Sequence, residues 1–380
     1  MRRLALALVL ALLCAAAVAS SEPAAVPASR QPSGVPWPSQ AWPAAEPGPD
    51  VDRAALEQAY EHAFRTLGRA GVPNTRALLA VHRGRIVAER YADGFDAQTR
   101  FHSWSMAKSV TQALVGILVR QGRLEVGAPA PVPEWHGADD PRRVVTLNHL
   151  LHMTSGLENA DGQGGEGFGV QMLFGDGAAD QVAFASDVAL TREPDTHWAY
   201  STATSNIVAW IVQQEVGGTP EALLGFLHRE LLDPLGMRRT IPEFDAAGHY
   251  LGGGFVWASA HDWARFGYLY LRDGVWEGSR ILPEGWLDYT TTAAPAPNNS
   301  VHTAHFWLNA QARPGQLEIL PGAPPSAFCA SGAYGQYVCM VPTHDLLVVR
   351  LGEMQGIDWP ELRSPIVELI AAFPPLPEAP

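Results

Sequence analysis

The chain has 380 residues, with 26 Lys plus Arg against 39 Asp plus Glu and a formal charge of −13. An acidic chain of this kind argues against nucleic acid or anionic lipid as partner, because both would repel it. Beyond the N-terminal leader no hydrophobic stretch is long enough to span a membrane.

The first residues carry Arg2 and Arg3, an apolar run from Leu4 to Val18 and the small-residue site Ala17-Val18-Ala19. This pattern predicts a secretory signal peptide over residues 1–19, cut near Ala19, and so a periplasmic or secreted protein. Cleavage removes two arginines and no acid, which takes the formal charge from −13 to −15. Leu13 stands before Cys14 where a lipidation site needs a small residue, so a lipid anchor is not expected. Residues 20–50 are rich in Pro and Ala without apolar periodicity and read as an extended spacer ahead of one domain over 51–376.

Within that domain, Ala54 to Leu67 has helical periodicity, with Leu56, Tyr60, Ala63, Phe64 and Leu67 on one face. Two β-rich runs follow, Leu78 to His82 and Ile86 to Tyr91, joined by a short turn. Ser109 to Gln121 is apolar on all sides and predicts a helix buried in the centre of the domain, ended by Gly122. The stretch from Val144 to Met237 reads as helical pieces between Gly and Asp loops. Strand signals return at Gln336 to Val341 and Leu346 to Leu351, and a helix from Trp359 to Phe373 closes the chain. The expected fold class is therefore α+β: an antiparallel sheet built from both ends of the domain with flanking helices, in two parts over about 51–135 and 245–376. A helical subdomain over about 136–244 is inserted between them. No internal repeat is present.

Lys108 is the only lysine in the chain, and it stands three residues after Ser105. Serine and lysine at i and i+3 share a helix face, so the amine can reach the hydroxyl and accept its proton. Arginine cannot do this near neutral pH, whereas a lysine with a lowered pKa can. Ser105 also falls at the first turn of the buried helix, where free N–H groups and the positive dipole end favour an oxyanion. A serine in that place is also an ordinary N-cap, so the pair needs supporting context.

That context is the order of five motifs: Ser105-Met106-Ala107-Lys108, Leu150-Leu151-His152-Met153-Thr154-Ser155-Gly156-Leu157, Trp198-Ala199-Tyr200-Ser201, Asp262-Trp263-Ala264-Arg265-Phe266-Gly267 and Gly332-Ala333-Tyr334-Gly335-Gln336. Their sequence resembles the serine hydrolases of the β-lactamase and penicillin-binding-protein fold. Within them it resembles the class C-related branch that includes esterases and aminohexanoate-dimer hydrolases. The resemblance covers roughly residues 55–372. It implies Ser105 as nucleophile, Lys108 as its base and Tyr200 as a proton shuttle. It also implies an oxyanion hole from the backbone N–H groups of Ser105 and Gln336.

Two positions depart from the pattern the resemblance implies. Thr202 stands where fuller motifs have asparagine, and Ala333-Tyr334-Gly335 occupies the third element without its usual Lys or His. The anchor for a substrate carboxylate is thereby missing, while backbone chemistry is retained. Trp104, Thr202, Ala333, Tyr334 and Gly335 are the expected pocket residues.

Other patterns are weaker. The histidine pairs His149/His152 and His302/His305 have metal-like spacing without the glutamate of H-E-x-x-H, so no metal and no cofactor are expected. Gly162-Gln163-Gly164-Gly165-Glu166-Gly167 matches a dinucleotide fingerprint but follows no strand, and reads as a loop that could rim the site. No G-x-S-x-G elbow is present, which argues against an α/β-hydrolase. Cys329 and Cys339 flank a turn between two strands and could pair in an oxidising compartment, though two free core cysteines are the plainer reading.

The expected function is an exported serine hydrolase acting on a small-molecule ester or amide. The rivals are a β-lactamase or D,D-peptidase, and, from another class, a catalytically idle penicillin-binding-like receptor or scaffold. Joint retention of Ser105, Lys108 and Tyr200 weighs against idleness.

Overall fold

The computed structural model describes residues 29–65, 74–162, 166–299, 301–309, 318–354 and 358–377. The expected signal peptide and residues 163–165 of the Gly-rich loop lie outside them. The protein is built on a six-stranded antiparallel sheet in the order Arg85–Tyr91, Thr75–His82, Leu346–Gly352, Gln336–Val341, Phe328–Gly332, Trp307–Leu308. Strands from the two ends of the domain thus meet at the centre, where Thr75–His82 pairs with Leu346–Gly352.

The central strands of this sheet are buried on both faces, which is why they read as near-continuous apolar runs. Ala77, Leu79 and Val81 face one core together with Leu347, Val349, Val338 and Met340. Leu78, Ala80, Val348, Cys339 and Val341 face a second core against the helices Arg53–Arg65 and Trp359–Ala371. Cys329 and Cys339 lie directly opposite each other in the register and form a disulfide.

The helix Met106–Arg120 runs through the first core with every residue from Met106 to Leu118 buried. Gly116 lets it press against Trp286, since a Cβ there would sit 2.7 Å from the indole. Between the sheet strands lie the helical pieces, of which Thr202–Glu215 packs on the central helix. A small three-stranded sheet of Arg100–His102, Val256–Ser259 and Ile241–Pro242 ties the inserted part back to the main sheet region. Among the described residues no helix is long and apolar enough to cross a membrane.

The reading of residues 20–50 as a spacer needs correction for its described part. From Ser29 onward the chain is extended but docked on the domain. Trp42 is buried and donates from its indole N–H to the His261 carbonyl at 3.1 Å. Trp37 packs on Tyr268 and Trp276, and Arg265 donates to the Pro38 carbonyl at 2.9 Å. Gly236, at φ +73°, has its Cα against the Ser39 carbonyl, and a Cβ there would lie 1.9 Å from that oxygen. Isolated aromatic anchors hold this segment, and these leave no periodic signal.

Candidate active site

Ser105 is the N-cap of the helix Met106–Arg120, and Lys108 lies one turn in on the same face. The Lys108 ammonium nitrogen is 3.1 Å from Ser105 Oγ, 3.1 Å from Thr202 Oγ1 and 2.6 Å from the Gly253 carbonyl oxygen. The lysine is 2 % exposed, and burial pushes its pKa down to about 8, partly opposed by the charge of Asp161. Desolvation disfavours the charged amine, so the neutral form is within reach near neutral pH.

Gly253 has to be glycine to bring its carbonyl there: a Cβ would stand 2.6 Å from Asn206 Oδ1 and 2.8 Å from the Thr202 carbonyl. Its N–H is taken by Asn206 Oδ1 at 2.8 Å. The run Gly252-Gly253-Gly254 was the signal for this close approach.

Tyr200 enters from the segment just before the helix Thr202–Glu215. Its ring lies 5.0 Å from the Lys108 nitrogen, and its hydroxyl is close enough to Ser105 for the serine to offset part of the effect of burial on the phenol. Burial and the charge of Asp161 push its pKa up, so the phenol stays protonated. Trp307 stacks on Tyr200 at 5.8 Å, and His302 meets it edge-on at 5.9 Å. Asn298 clamps the same segment by bonding both the N–H and the carbonyl of Trp198, at 2.7 and 2.8 Å. The Thr154-Ser155-Gly156 turn fixes it from the other side, through Ala199 N–H to the Met153 carbonyl at 3.0 Å and Thr154 to Asp195 at 2.6 Å. That motif therefore acts by holding Tyr200 in place.

Thr202 lies in the site, where it contacts Lys108 and Asp161. Asp161 accepts from the Thr202 N–H at 2.5 Å and from the Thr202 hydroxyl at 2.7 Å. Asp161 leaves no signal of this role in the sequence, because it is a loop residue remote along the chain from both Lys108 and Thr202.

The opposite wall comes from the strand Phe328–Gly332. Gly332 is the residue that faces Ser105: a Cβ on it would be 3.2 Å from Ser105 N and 2.3 Å from the Ser103 carbonyl. Ala333, Tyr334 and Gly335 form the turn that follows, with Tyr334 in a left-handed conformation (φ 59°, ψ 16°). Gln336 pairs with Gly332 across the hairpin, and its side chain is spent on Ala333 and Gly352, including a 3.0 Å bond from the Gly352 N–H. Trp104, also left-handed (φ 46°), packs on Tyr334 at 5.0 Å and on His102 at 4.6 Å. It lines a cleft of about 320 Å³ with Phe255, Trp257 and Gln336.

The histidine pairs serve packing. His149 accepts from the Thr146 N–H in a capping box, and His305 bonds the Lys108 carbonyl at 3.0 Å and Ser205 at 3.2 Å. Burial lowers the pKa of both His302 and His305, that of His305 to about 3, so both are neutral.

The chain is 25 % identical over 321 residues to a 6-aminohexanoate-dimer hydrolase of Paenarthrobacter ureafaciens, covering 77 % of each chain. It superposes on a family VIII carboxylesterase with a TM-score of 0.62 at 16 % identity, over 86 % of this chain and 98 % of that one. A penicillin-binding protein homolog from Caulobacter crescentus gives a TM-score of 0.62 at 18 % identity, over 86 % and 99 %. Residues 56–356 match the family described as Beta-lactamase. The chain belongs to that family and is a hydrolase of the β-lactamase and penicillin-binding-protein fold.

Proposed function

We propose that the protein cleaves small esters or amides through an acyl-enzyme on Ser105. The observation that carries this reading is the buried Lys108 amine, 3.1 Å from Ser105 Oγ and with its pKa lowered to about 8. In the first step Oγ bonds to the substrate carbonyl carbon while its proton passes to Lys108 and the carbonyl electron pair moves onto oxygen. Ser105 N–H is one donor to that oxyanion. The second is placed on Ala333, which follows Gly332 beside Ser105, in preference to Gln336 three residues on. Tyr200, protonated and beside Ser105, hands its proton to the leaving group as the carbon to leaving-group bond breaks, and takes in exchange the proton that Lys108 received, so that the tyrosine is again protonated and the amine again neutral. Water then bonds to the acyl carbon as it gives a proton to Lys108, the Oγ to carbon bond breaks, and that proton returns to Oγ as the acid leaves.

Ester and amide preference is supported by what the strand edge lacks. Neither Ala330 nor Ala333 carries a charge for a substrate carboxylate, and the wall is aromatic through Trp104 and Tyr334. Work outside the cytoplasm is supported by the leader-like N-terminus and by the Cys329–Cys339 disulfide.

A panel of nitrophenyl esters, small amides and nitrocefin tests the reading. A missing charge-assisted hydrogen bond is worth about ten- to a hundredfold in recognition. Short-chain esters should therefore turn over well and nitrocefin poorly. Efficient nitrocefin hydrolysis with negligible ester cleavage would make the protein a β-lactamase instead.

A further inference from the structure

The Lys108 amine has three polar neighbours, and their chemistry differs. The Gly253 carbonyl can only accept a hydrogen bond. The Thr202 hydroxyl has one hydrogen, and that hydrogen is given to the Asp161 carboxylate, 2.7 Å away, which also can only accept. Thr202 therefore turns a lone pair towards Lys108. A neutral amine has two N–H bonds and one lone pair. Both N–H bonds are consumed by Gly253 and Thr202, and the lone pair is left facing Ser105 Oγ.

We infer that Asp161, acting through the Thr202 hydroxyl, is a positioning residue that aims the Lys108 lone pair at Ser105. This rests on the acyl-enzyme reading above. Were the Thr202 hydroxyl free to rotate, it could donate to the amine and occupy the pair needed for catalysis. Once the proton has moved from Oγ to nitrogen, the resulting ammonium has three N–H bonds and the same three partners. The arrangement thus satisfies the amine before and after transfer.

Asp161 is built into this place. Its N–H donates to the Tyr200 carbonyl at 2.9 Å, its carboxylate takes the Thr202 N–H and hydroxyl, and its carbonyl accepts from Gly169 at 3.1 Å. Gly169 leaves room for it, since a Cβ there would stand 2.8 Å from the Asp161 carboxylate carbon. The titratable groups around Lys108 are Asp161, Tyr200, His302 and His305. Tyr200 is protonated and both histidines are neutral through burial, so Asp161 supplies the charge that the amine feels.

The test compares Asp161→Asn, Thr202→Val and Thr202→Ser with the wild type on a short-chain nitrophenyl ester across pH. In Asp161→Asn the amide oxygen takes the Thr202 N–H and the amide nitrogen donates to Thr202 Oγ1, which turns the hydroxyl hydrogen towards Lys108. The expected loss in kcat/KM is about ten- to a hundredfold, the worth of a hydrogen bond to a charged group. Removing the carboxylate also lowers the pKa of the amine, so the acid limb moves down by about one pH unit, which loss of packing alone would not cause. Thr202→Val should lose as much, and Thr202→Ser should recover most of it. If Asp161→Asn does not fold, judged by circular dichroism and thermal melting, the Val and Ser pair decides: equal rates in the two overturn the inference.

A folded Asp161→Asn enzyme with wild-type rate and an unmoved acid limb overturns it too. Labelling of wild-type Ser105 by a fluorophosphonate separates the two levels. Labelled wild type with an indifferent Asp161→Asn refutes the positioning role alone, whereas unlabelled wild type refutes the acyl-enzyme reading beneath it.

Discussion

If Lys108 is the base, ester hydrolysis must fail on the acid side in a predictable way. The amine is buried and its pKa is pushed down to about 8, and only its neutral form can accept the serine proton. Below that value the neutral fraction falls tenfold per pH unit, to about a tenth at pH 7 and about a hundredth at pH 6. The assay is kcat/KM for a short-chain nitrophenyl ester between pH 5.5 and 9, corrected for spontaneous hydrolysis. A limb of unit slope bending near pH 8 is expected. Replacing Lys108 by arginine keeps the charge and removes the ability to accept a proton, and should cost about a hundred- to ten-thousandfold in turnover. A pH profile flat from 6 to 9, or a folded Lys108→Arg enzyme keeping more than about a tenth of wild-type turnover, would refute the reasoning.

Two further outcomes follow from the fold. Gly332→Ala places a Cβ 2.3 Å from the Ser103 carbonyl, so the backbone beside Ser105 must shift. A displacement of that kind costs on the order of a hundredfold in kcat, with a smaller change in KM, measured by steady-state kinetics on a protein whose melting temperature is checked. The Cys329–Cys339 bond closes a loop with a sequence separation of 10. Its reduction or double replacement by alanine should lower stability by about 2.5 to 3 kcal/mol, read by urea unfolding with and without reductant.

The parts of this protein that were legible from its sequence are those whose signal is local. Ser105 and Lys108 are one helical turn apart, so their spacing carries the contact directly. The strands Gln336–Val341 and Leu346–Gly352 announce themselves because both of their faces are buried and nearly all their positions are apolar, Gln336 and Arg350 being the polar exceptions. Two kinds of feature escaped. Gly253 reaches Lys108 directly and Asp161 reaches it through Thr202, both from remote loops, and no periodicity encodes such a meeting. By sequence alone the third motif falls on Ala333–Gly335, but Gly332 is what faces Ser105, because the register of a hairpin depends on where its turn begins. In residues 29–50 composition and structure part: Pro and Ala suggest a loose chain, while Trp37 and Trp42 anchor it by single contacts.

Covalent capture of the nucleophile tests the central claim most directly. The wild-type protein is incubated with a fluorophosphonate, its intact mass recorded, and the modified peptide mapped. One added group per chain, located on Ser105 and lost in Ser105→Ala, is the expected result. Modification at another residue, or undiminished labelling of Ser105→Ala, would contradict the assignment of Ser105 as the acylated serine.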